Sequence, residues 1–387
     1  DATYAQSDGT VIGKWIPEAP QYDLYGVYQY SITTVNTLVR IQFPLDNAVT
    51  LDWGDGTVVT TTATGWQEHN YAEKGTYTVT IQPNIYWRFW DDASVINITK
   101  IISIYTSPSL TSMFVPYSGP SDVGNLTWHK LELSKNVTSL QRALSGLNFN
   151  PNVNDWDISN VTSLESTFVS SSSFNQPLDN WDTSNVTNMK GTFSACALFD
   201  QNLNSWNTSK VTNFRATFQN ATLFNGNISN WDVSSGLDFM YMFNYATSFN
   251  MDVSNWDMSS AENLLGMFRY ATAFNSDISG WDVSNVTTMQ QMFQEAISFD
   301  QNLGAWDISN VVSMYLFLSN VTLSTANYDA TLIGWDALPN PQWSTANDGA
   351  GVTCTMGNSV YTLGGAAEAA RTSLIAKGLL ITDGGGI

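Results

Sequence analysis

The sequence has few of the residues that build covalent or metal-based sites. Its 387 residues include two cysteines, Cys196 and Cys354, and two histidines, His69 and His129. Two cysteines cannot form a disulfide scaffold or a four-cysteine zinc site. Two histidines exclude a histidine-rich metal centre and leave little material for a histidine-based catalytic triad. We therefore expect no catalytic, cofactor-binding or metal-binding site of these kinds.

Basic residues and long apolar runs are also scarce. Lys and Arg number 14 against 34 Asp and Glu, which gives a net charge of −20. Because phosphates are bound by clustered Lys and Arg, this charge excludes nucleic acid and anionic membranes as partners. No run approaches the roughly 18 apolar residues of a spanning helix, so we expect no membrane insertion. An acidic chain rich in Asp, Asn, Ser and Thr and poor in Lys predicts a secreted, extracellular protein. Because the sequence begins at Asp1 without Met, we expect any signal peptide or anchor to lie outside it.

A repeat of 25 residues occupies the middle of the chain. Its most regular residue is a tryptophan, found at Trp156, Trp181, Trp206, Trp231, Trp256, Trp281 and Trp306. Every Trp is followed by Asp or Asn, has a Ser three residues later and a Phe seven residues earlier. Another Phe lies twelve residues after each of the first six. Because one copy cannot bury its Trp and two Phe alone, the copies are predicted to stack on one another.

The spacing within one copy predicts its local structure. Around Trp181, the stretch from Leu178 to Val186 predicts a short strand, and Met189, Phe193 and Ala197 have the spacing of a helix face. One strand and one or two helical turns per copy are typical of a leucine-rich repeat. A β-propeller is excluded because its blades need about 40–45 residues, whereas a parallel β-helix remains an alternative.

Stacking in register predicts a role for each column of equivalent residues. The Trp column should be buried, and the Ser and Asn or Asp columns should bond the backbone of turns. Cys196 takes the place of an Ala in other copies, so it should point inward. It should also stay unpaired, because Cys354 is expected about five repeats away, on the order of 24 Å along the stack. A disulfide needs Cα atoms within about 7 Å of each other.

The repeats resemble a known family. The run Phe174-Asn-Gln-Pro-Leu-Asp-Asn-Trp-Asp-Thr-Ser-Asn-Val-Thr-Asn-Met189 is similar to BspA-type leucine-rich-repeat surface proteins, in the branch described as a mycoplasma domain of unknown function. The resemblance covers about 126–325. It weakens at Leu131, where Leu-Glu-Leu-Ser replaces Trp-Asp-x-Ser and fits a degenerate capping copy. The resemblance implies a surface-exposed extracellular module that binds a partner.

The first 95 residues carry no repeat. Alternating residues predict strands at 39–43, 49–52 and 77–81. The segments Leu51-Asp-Trp-Gly-Asp-Gly-Thr57, His69-Asn-Tyr71 and Gly75-Thr-Tyr-Thr-Val79 resemble a PKD domain, an immunoglobulin-like sandwich of surface proteins. In this interpretation Asp55 opens a tight turn, and His69 bonds that turn rather than acting as a base.

The C-terminal residues end the repeat. Trp335 stands four residues late for the period, residues 366–377 read as a helix that ends at Gly378, and Leu379–Thr382 reads as a strand. The predicted fold class is therefore mainly β with short helices. We expect a PKD-like β-sandwich over 1–95, a leucine-rich-repeat-like solenoid over 96–325 and a C-terminal α/β cap over 326–387.

No enzyme is predicted, because no phosphate loop, H-E-x-x-H or G-x-S-x-G motif is present. The favoured function is a non-catalytic extracellular surface protein that mediates adhesion or ligand binding. Its partners would be surface proteins or glycans of a host or neighbouring cell, or further copies of itself. The alternatives are a filament, stalk or virion-fibre protein at the virion surface and, less favoured, a carbohydrate-active enzyme that uses paired Asp residues.

No cofactor is predicted, and calcium is the one candidate ion. The aligned Asp columns offer oxygen ligands. Against this, no D-x-D-x-D-G loop is present, and Asp52 and Asp55 serve equally well as turn residues.

Four tyrosines are the candidate ligand-binding residues. Tyr245 and Tyr270 stand fourteen residues after their Trp, in a column that otherwise holds Ser, Ala, Asn and Glu. Tyr241 and Tyr315 stand ten and nine residues after theirs. Because stacked core positions have to match, variable columns should face outward. Exposed aromatic rings suit a sugar or a protein partner, although the rings could instead pack against the next turn.

Overall fold

We describe the protein from a computed structural model. The structure describes residues 3–5, 11–14, 26–32, 37–43, 49–61, 65–71, 75–82, 88–90, 96–104, 127–128, 137–146, 150–339, 341, 343–344, 346 and 350–387. The chain divides into two compact units; the described residues of the first contain eleven strands, and the described residues of the second lie within Val137–Ile387.

The described residues of the first unit form three sheets. Its strands are β1 Thr3–Ala5, β2 Val11–Lys14, β3 Gly26–Ile32, β4 Thr37–Phe43, β5 Val49–Asp52, β6 Val58–Thr61, β7 Gly65–Tyr71, β8 Gly75–Gln82, β9 Arg88–Trp90, β10 Ile96–Ile104 and β11 Thr127–Trp128. Two strands, β1 and β2, pair with each other; a six-stranded sheet has the order β11-β10-β3-β8-β5-β6, and a three-stranded sheet has the order β7-β4-β9. The three strands predicted from alternation are confirmed as β4, β5 and β8. The PKD resemblance and the predicted domain boundaries stay predictions.

The repeats are built from turns. Within residues 150–323, all of which the structure describes, there is no helix and no strand. Each repeat instead makes single parallel bridges to its neighbours seven residues after the Trp, for example between Asn188 and Asn213. The stretch predicted as a strand contains two turns, in which the Trp181 N–H donates to Leu178 and the Val186 N–H donates to Thr183.

The segment predicted as a helix is a series of overlapping four-residue turns. The backbone N–H groups of Thr192, Ser194 and Cys196 each donate to the carbonyl three residues earlier, at 3.1 Å. Gly191 and Ala195 have φ of +63° and +60°, the left-handed value found at the third residue of a type II turn. Two left-handed residues four apart prevent a helix, but the turns still place apolar residues three and four apart on one side.

The predicted fold class is therefore wrong. The prediction was a mainly β protein with an immunoglobulin-like (PKD-like) sandwich, a leucine-rich-repeat-like solenoid and an α/β cap. The solenoid required a strand and a helical turn in each repeat. The described repeats have neither, and the described part of the chain has only two short helices. The apolar spacing was interpreted as helical because turns with a left-handed residue every fourth position produce the same spacing.

The core of the repeats consists of stacked aromatic columns. The seven Trp side chains are at most 3% exposed, and neighbouring rings lie 5.9–6.4 Å apart between centroids. The predicted burial of the Trp column is confirmed. From Trp181 onward, each indole N–H also donates to a carbonyl of the preceding repeat at 2.9–3.3 Å. Each Trp thus contributes both packing and a buried hydrogen bond.

Residues after 323 close the second unit with helices and a strand pair. Helix α1 spans Thr325–Asp336, β12 spans Val352–Thr355, α2 spans Ala366–Ala376 and β13 spans Leu379–Thr382, with β12 and β13 parallel. The predicted C-terminal helix and strand are confirmed, and Gly378 has φ of +98° at the end of α2. Within α1, the late Trp335 donates to the Leu303 carbonyl at 2.9 Å, as the repeat tryptophans do.

Candidate ligand-binding surface

Two columns of every complete repeat have left-handed backbone. They lie ten and fourteen residues after the Trp, and we call them position 10 and position 14. Only two of these residues are glycine, Gly191 and Gly266; the others include Ser, Ala, Asn, Gln, Glu, Leu and three tyrosines, Tyr241, Tyr245 and Tyr270. Left-handed backbone costs roughly 1–2 kcal/mol for a residue with a side chain. Something in the repeats must therefore offset this cost at each position.

The offset comes from hydrogen bonds between repeats. At position 14 of each of the first six repeats, the backbone N–H donates to a carbonyl of the next repeat at 2.6–2.9 Å, as in Tyr245 to Arg269 and Tyr270 to Gln294. The same pattern holds at position 10, where Tyr241 donates to Leu265. No position-14 residue of the seven repeats is buried, so this column faces away from the aromatic core.

Tyr245 and Tyr270 form a stacked pair at position 14 of adjacent repeats. Their ring centroids are 4.3 Å apart and the rings are within 6° of parallel. Tyr245 is 37% exposed and Tyr270 is half-buried. Desolvation, followed by the charge and hydrogen bond of the adjacent Tyr245 hydroxyl, raises the pKa of Tyr270. The raised pKa keeps the Tyr270 phenol protonated at neutral pH.

Arg269 lies beside this pair. Its guanidinium carbon is 4.8 Å from the Tyr270 centroid and 5.8 Å from the Tyr245 centroid, within the range of cation–π attraction. Its Nε donates to Gln294 at 2.9 Å, and among the residues that the structure describes it has no carboxylate partner. We call Tyr245, Arg269 and Tyr270 the tyrosine–arginine patch.

The residue before Tyr245 in sequence has a buried polar atom. Asn244, directly before Tyr245, is 3% exposed, and its Oδ1 has no hydrogen-bond partner within the described part of the chain. Buried polar atoms without a partner are rare in native proteins.

The other two predicted tyrosines do not join this pair. The ring of Tyr241 lies over Gly266 of the next repeat, where an added Cβ would come within 2.3 Å of the ring. Tyr315 is 51% exposed, and no ring of the described residues stacks on it. Of the four tyrosines that the sequence predicted as a binding surface, two stack on each other and two do not join them. Ligand binding by any of the four stays a prediction. Arg269 was missed because it stands one residue before the variable column.

The Asp and Asn side chains bond the backbone of the turns, as predicted, whereas the Ser column contributes its backbone N–H. In all seven repeats the Ser N–H donates to the Asp or Asn side chain two residues earlier, at 3.0–3.2 Å. These bonds lower the pKa of Asp182 and Asp257, with the Ser side chain as the largest cause. Similar bonds from Ser254 and Ser279, in the turns before Trp256 and Trp281, lower the pKa of Asp252 and Asp277. A second ladder is formed by the Asn or Asp that stands six residues before each Trp. The side-chain oxygen of this residue accepts a hydrogen bond from the backbone N–H of the equivalent residue in the next repeat.

Other candidate reactive groups also have structural contacts. Cys196 and Cys354 are buried and unpaired, as predicted, and burial raises the pKa of both thiols. His69 bonds Asp55 at 2.7 Å and stacks on Trp53, which confirms its predicted contact with the turn. Burial acts to raise the pKa of Asp55, but hydrogen bonds from Thr57 and His69 outweigh it and lower that pKa.

Among the residues that the structure describes, no three His, Cys, Asp or Glu side chains are grouped to hold a metal ion. No helix in this part of the chain is long and apolar enough to cross a membrane.

Comparison with known proteins gives one positive result. No curated protein and no solved structure matches the chain significantly. The model of one family matches residues 135–250 and again 227–331, which together span just over half of the sequence. The matched residues contain all seven Trp repeats, so the resemblance to the mycoplasma domain is confirmed there. The chain belongs to the family described as "Mycoplasma protein of unknown function, DUF285".

Proposed function

We propose that this chain is a non-catalytic extracellular surface protein that binds a partner through the tyrosine–arginine patch. The partner would be a glycan or a protein on the surface of a host or neighbouring cell. The observation that carries the proposal is the outward-facing aromatic pair at position 14, where the backbone supplies the structural bonds and the side chains are free to vary.

The chemistry of the patch supports a binding role. Tyrosine and arginine are enriched at binding surfaces because they combine apolar area with polar tips. Arg269 lacks a carboxylate partner among the described residues, so its terminal nitrogens are available for a carboxylate or hydroxyl of a partner.

The bonding of the polar columns supports a non-catalytic role. The Asp or Asn side chain after each Trp accepts a backbone N–H in every repeat alike, so this column marks no single site. The two thiols are buried, and burial keeps the pKa of each raised, which disfavours the nucleophilic thiolate.

A double variant, Tyr245→Ala with Tyr270→Ala, tests the proposal. Position 14 already holds alanine at Ala195, so the backbone accepts this change. We expect the variant to keep its melting temperature and to lose attachment to glycan and surface-protein arrays. The matched control is Tyr315→Ala, which removes an exposed ring outside the patch and should leave attachment unchanged.

Two results would contradict the proposal. Attachment by the folded double variant at the wild-type level would place the ligand elsewhere. Particle size that rises with protein concentration, without any array binding, would favour the filament or stalk alternative.

A further inference from the structure

Tyr245 and Tyr270 have a geometry that no other described tyrosine shares. Their rings are stacked at 4.3 Å between centroids and nearly parallel, which brings ring carbons to about the 3.5–4.0 Å of van der Waals contact. Both residues stand at position 14 of adjacent repeats with φ of +60° and +58°, so the backbone presents the two rings from the same place in each repeat. Among the described residues this is the one stacked pair of tyrosines.

We propose that Tyr245 and Tyr270 are an oxidative cross-linking site, at which one-electron oxidation joins the two rings as dityrosine. The site does not depend on the binding role proposed above. The cross-link would connect adjacent repeats covalently on their solvent-exposed edge.

The reaction requires a peroxide and a peroxidase-type catalyst as the oxidant. Each phenol loses one electron and one proton to give a phenoxyl radical, whose unpaired electron is shared with the ring carbons next to the oxygen. The two radicals form a bond between one such Cε of each ring. Each bonded carbon then loses its hydrogen as a proton while its oxygen regains one. Overall two protons and two electrons leave the pair, and one hydrogen peroxide takes them up to give two waters.

Fixed proximity favours this coupling over competing fates of the radicals. Reacting groups held in contact behave as if at very high concentration, so a second radical in the same chain is met before one in another molecule. Tyr245 is exposed to an oxidant in solution, whereas the stacked Trp and Phe rings of the repeats are buried. Tyr315 is exposed, but it lacks a stacked ring among the described residues.

Mass spectrometry after oxidation tests the site. The full chain is treated at low concentration with a peroxidase and hydrogen peroxide, then denatured and digested with trypsin. Cleavage after Arg269 places the two tyrosines in separate peptides, so the cross-link appears as a joined pair lighter by two hydrogens. We expect this joined pair, together with dityrosine fluorescence, in the wild type and in Tyr315→Phe.

Conservative variants make the test specific. Tyr245→Phe and Tyr270→Phe keep the stacked rings and remove one phenol, so each should fold with an unchanged melting temperature and lose the joined pair. Unlinked Tyr245 and Tyr270 in a wild-type chain that is oxidised at other tyrosines would overturn the proposal. Cross-links that form only between chains would also overturn it.

Discussion

The Trp column and the position-14 column pass through the same seven repeats but differ in what they tolerate. The Trp column holds one residue type, with each ring stacked on the next at 5.9–6.4 Å. Position 14 holds Ser, Ala, Asn, Tyr and Glu on an unusual backbone. In the core, side-chain shape keeps the repeats in register, so the residue type is fixed. At the edge, the backbone N–H keeps the register, so the side chain is free to serve another purpose.

The largest expected effect is in the Trp column. Trp231→Ala should lower the free energy of unfolding by about 3–5 kcal/mol, because it leaves a cavity between two stacked indoles. It also removes the donor to the Leu203 carbonyl. Urea unfolding followed by circular dichroism measures the change. Tyr315→Ala is the matched surface control and should change stability by no more than about 0.5 kcal/mol.

Position 10 offers the next largest effect. Gly266→Ala should cost about 2–3 kcal/mol, since φ is already +59° and the new methyl would meet the Tyr241 ring at 2.3 Å. Gly191→Ala has the same backbone strain but a nearest neighbour at 3.3 Å, and should cost about 1 kcal/mol. If the Tyr241 ring is the reason, Tyr241→Ala should bring the cost at 266 down to that at 191. Equal costs in the wild-type background would contradict this packing.

The side-chain ladder should contribute less. Asn225→Ala removes the acceptor of the Asn250 N–H, which is bonded at 2.9 Å, and should cost about 1 kcal/mol in denaturant unfolding. Asn225→Asp keeps an acceptor, as Asp200 does in the same column, and should be close to neutral. If both substitutions are neutral, the ladder does not stabilise the stack.

The smallest effect tests the backbone of position 14. Ala195→Gly should stabilise the protein by about 0.5 kcal/mol, because relief of left-handed strain outweighs the entropy lost by glycine. Ala197→Gly, two residues later with ordinary φ, should destabilise by about 0.5–1 kcal/mol. Opposite signs in thermal unfolding would sharpen the contrast between the columns. The same sign at both positions would show that the strain is not real.

The sequence predicted the period and the core well and the local backbone poorly. Trp burial, the polar ladders and the unpaired cysteines follow from register alone, because equivalent residues of stacked repeats must meet. The strand and helix were wrong because Met189 and Phe193 have helix spacing that overlapping turns also give. The signal that could have revealed those turns was present: glycine at Gly191 and Gly266, and asparagine at Asn220, mark left-handed positions.

The repeat register predicted only part of the candidate site. Variation along position 14 correctly marked an outward column, and adjacent repeats necessarily bring Tyr245 beside Tyr270. Spacing alone does not tell how far a side chain reaches, so Tyr241 and Tyr315 were grouped with them. The approach of Arg269 to both rings depends on side-chain conformation, which no column pattern records.

Deletion of one repeat tests the 25-residue register most directly. Removing Asp232–Trp256 joins Trp231 to Asp257 and leaves every remaining column aligned. Removing Asp232–Asn255, one residue fewer, shifts all later columns by one position. We expect the first variant to keep a single cooperative unfolding transition by circular dichroism and the second to lose it. Equal stability of the two variants would contradict stacking in register.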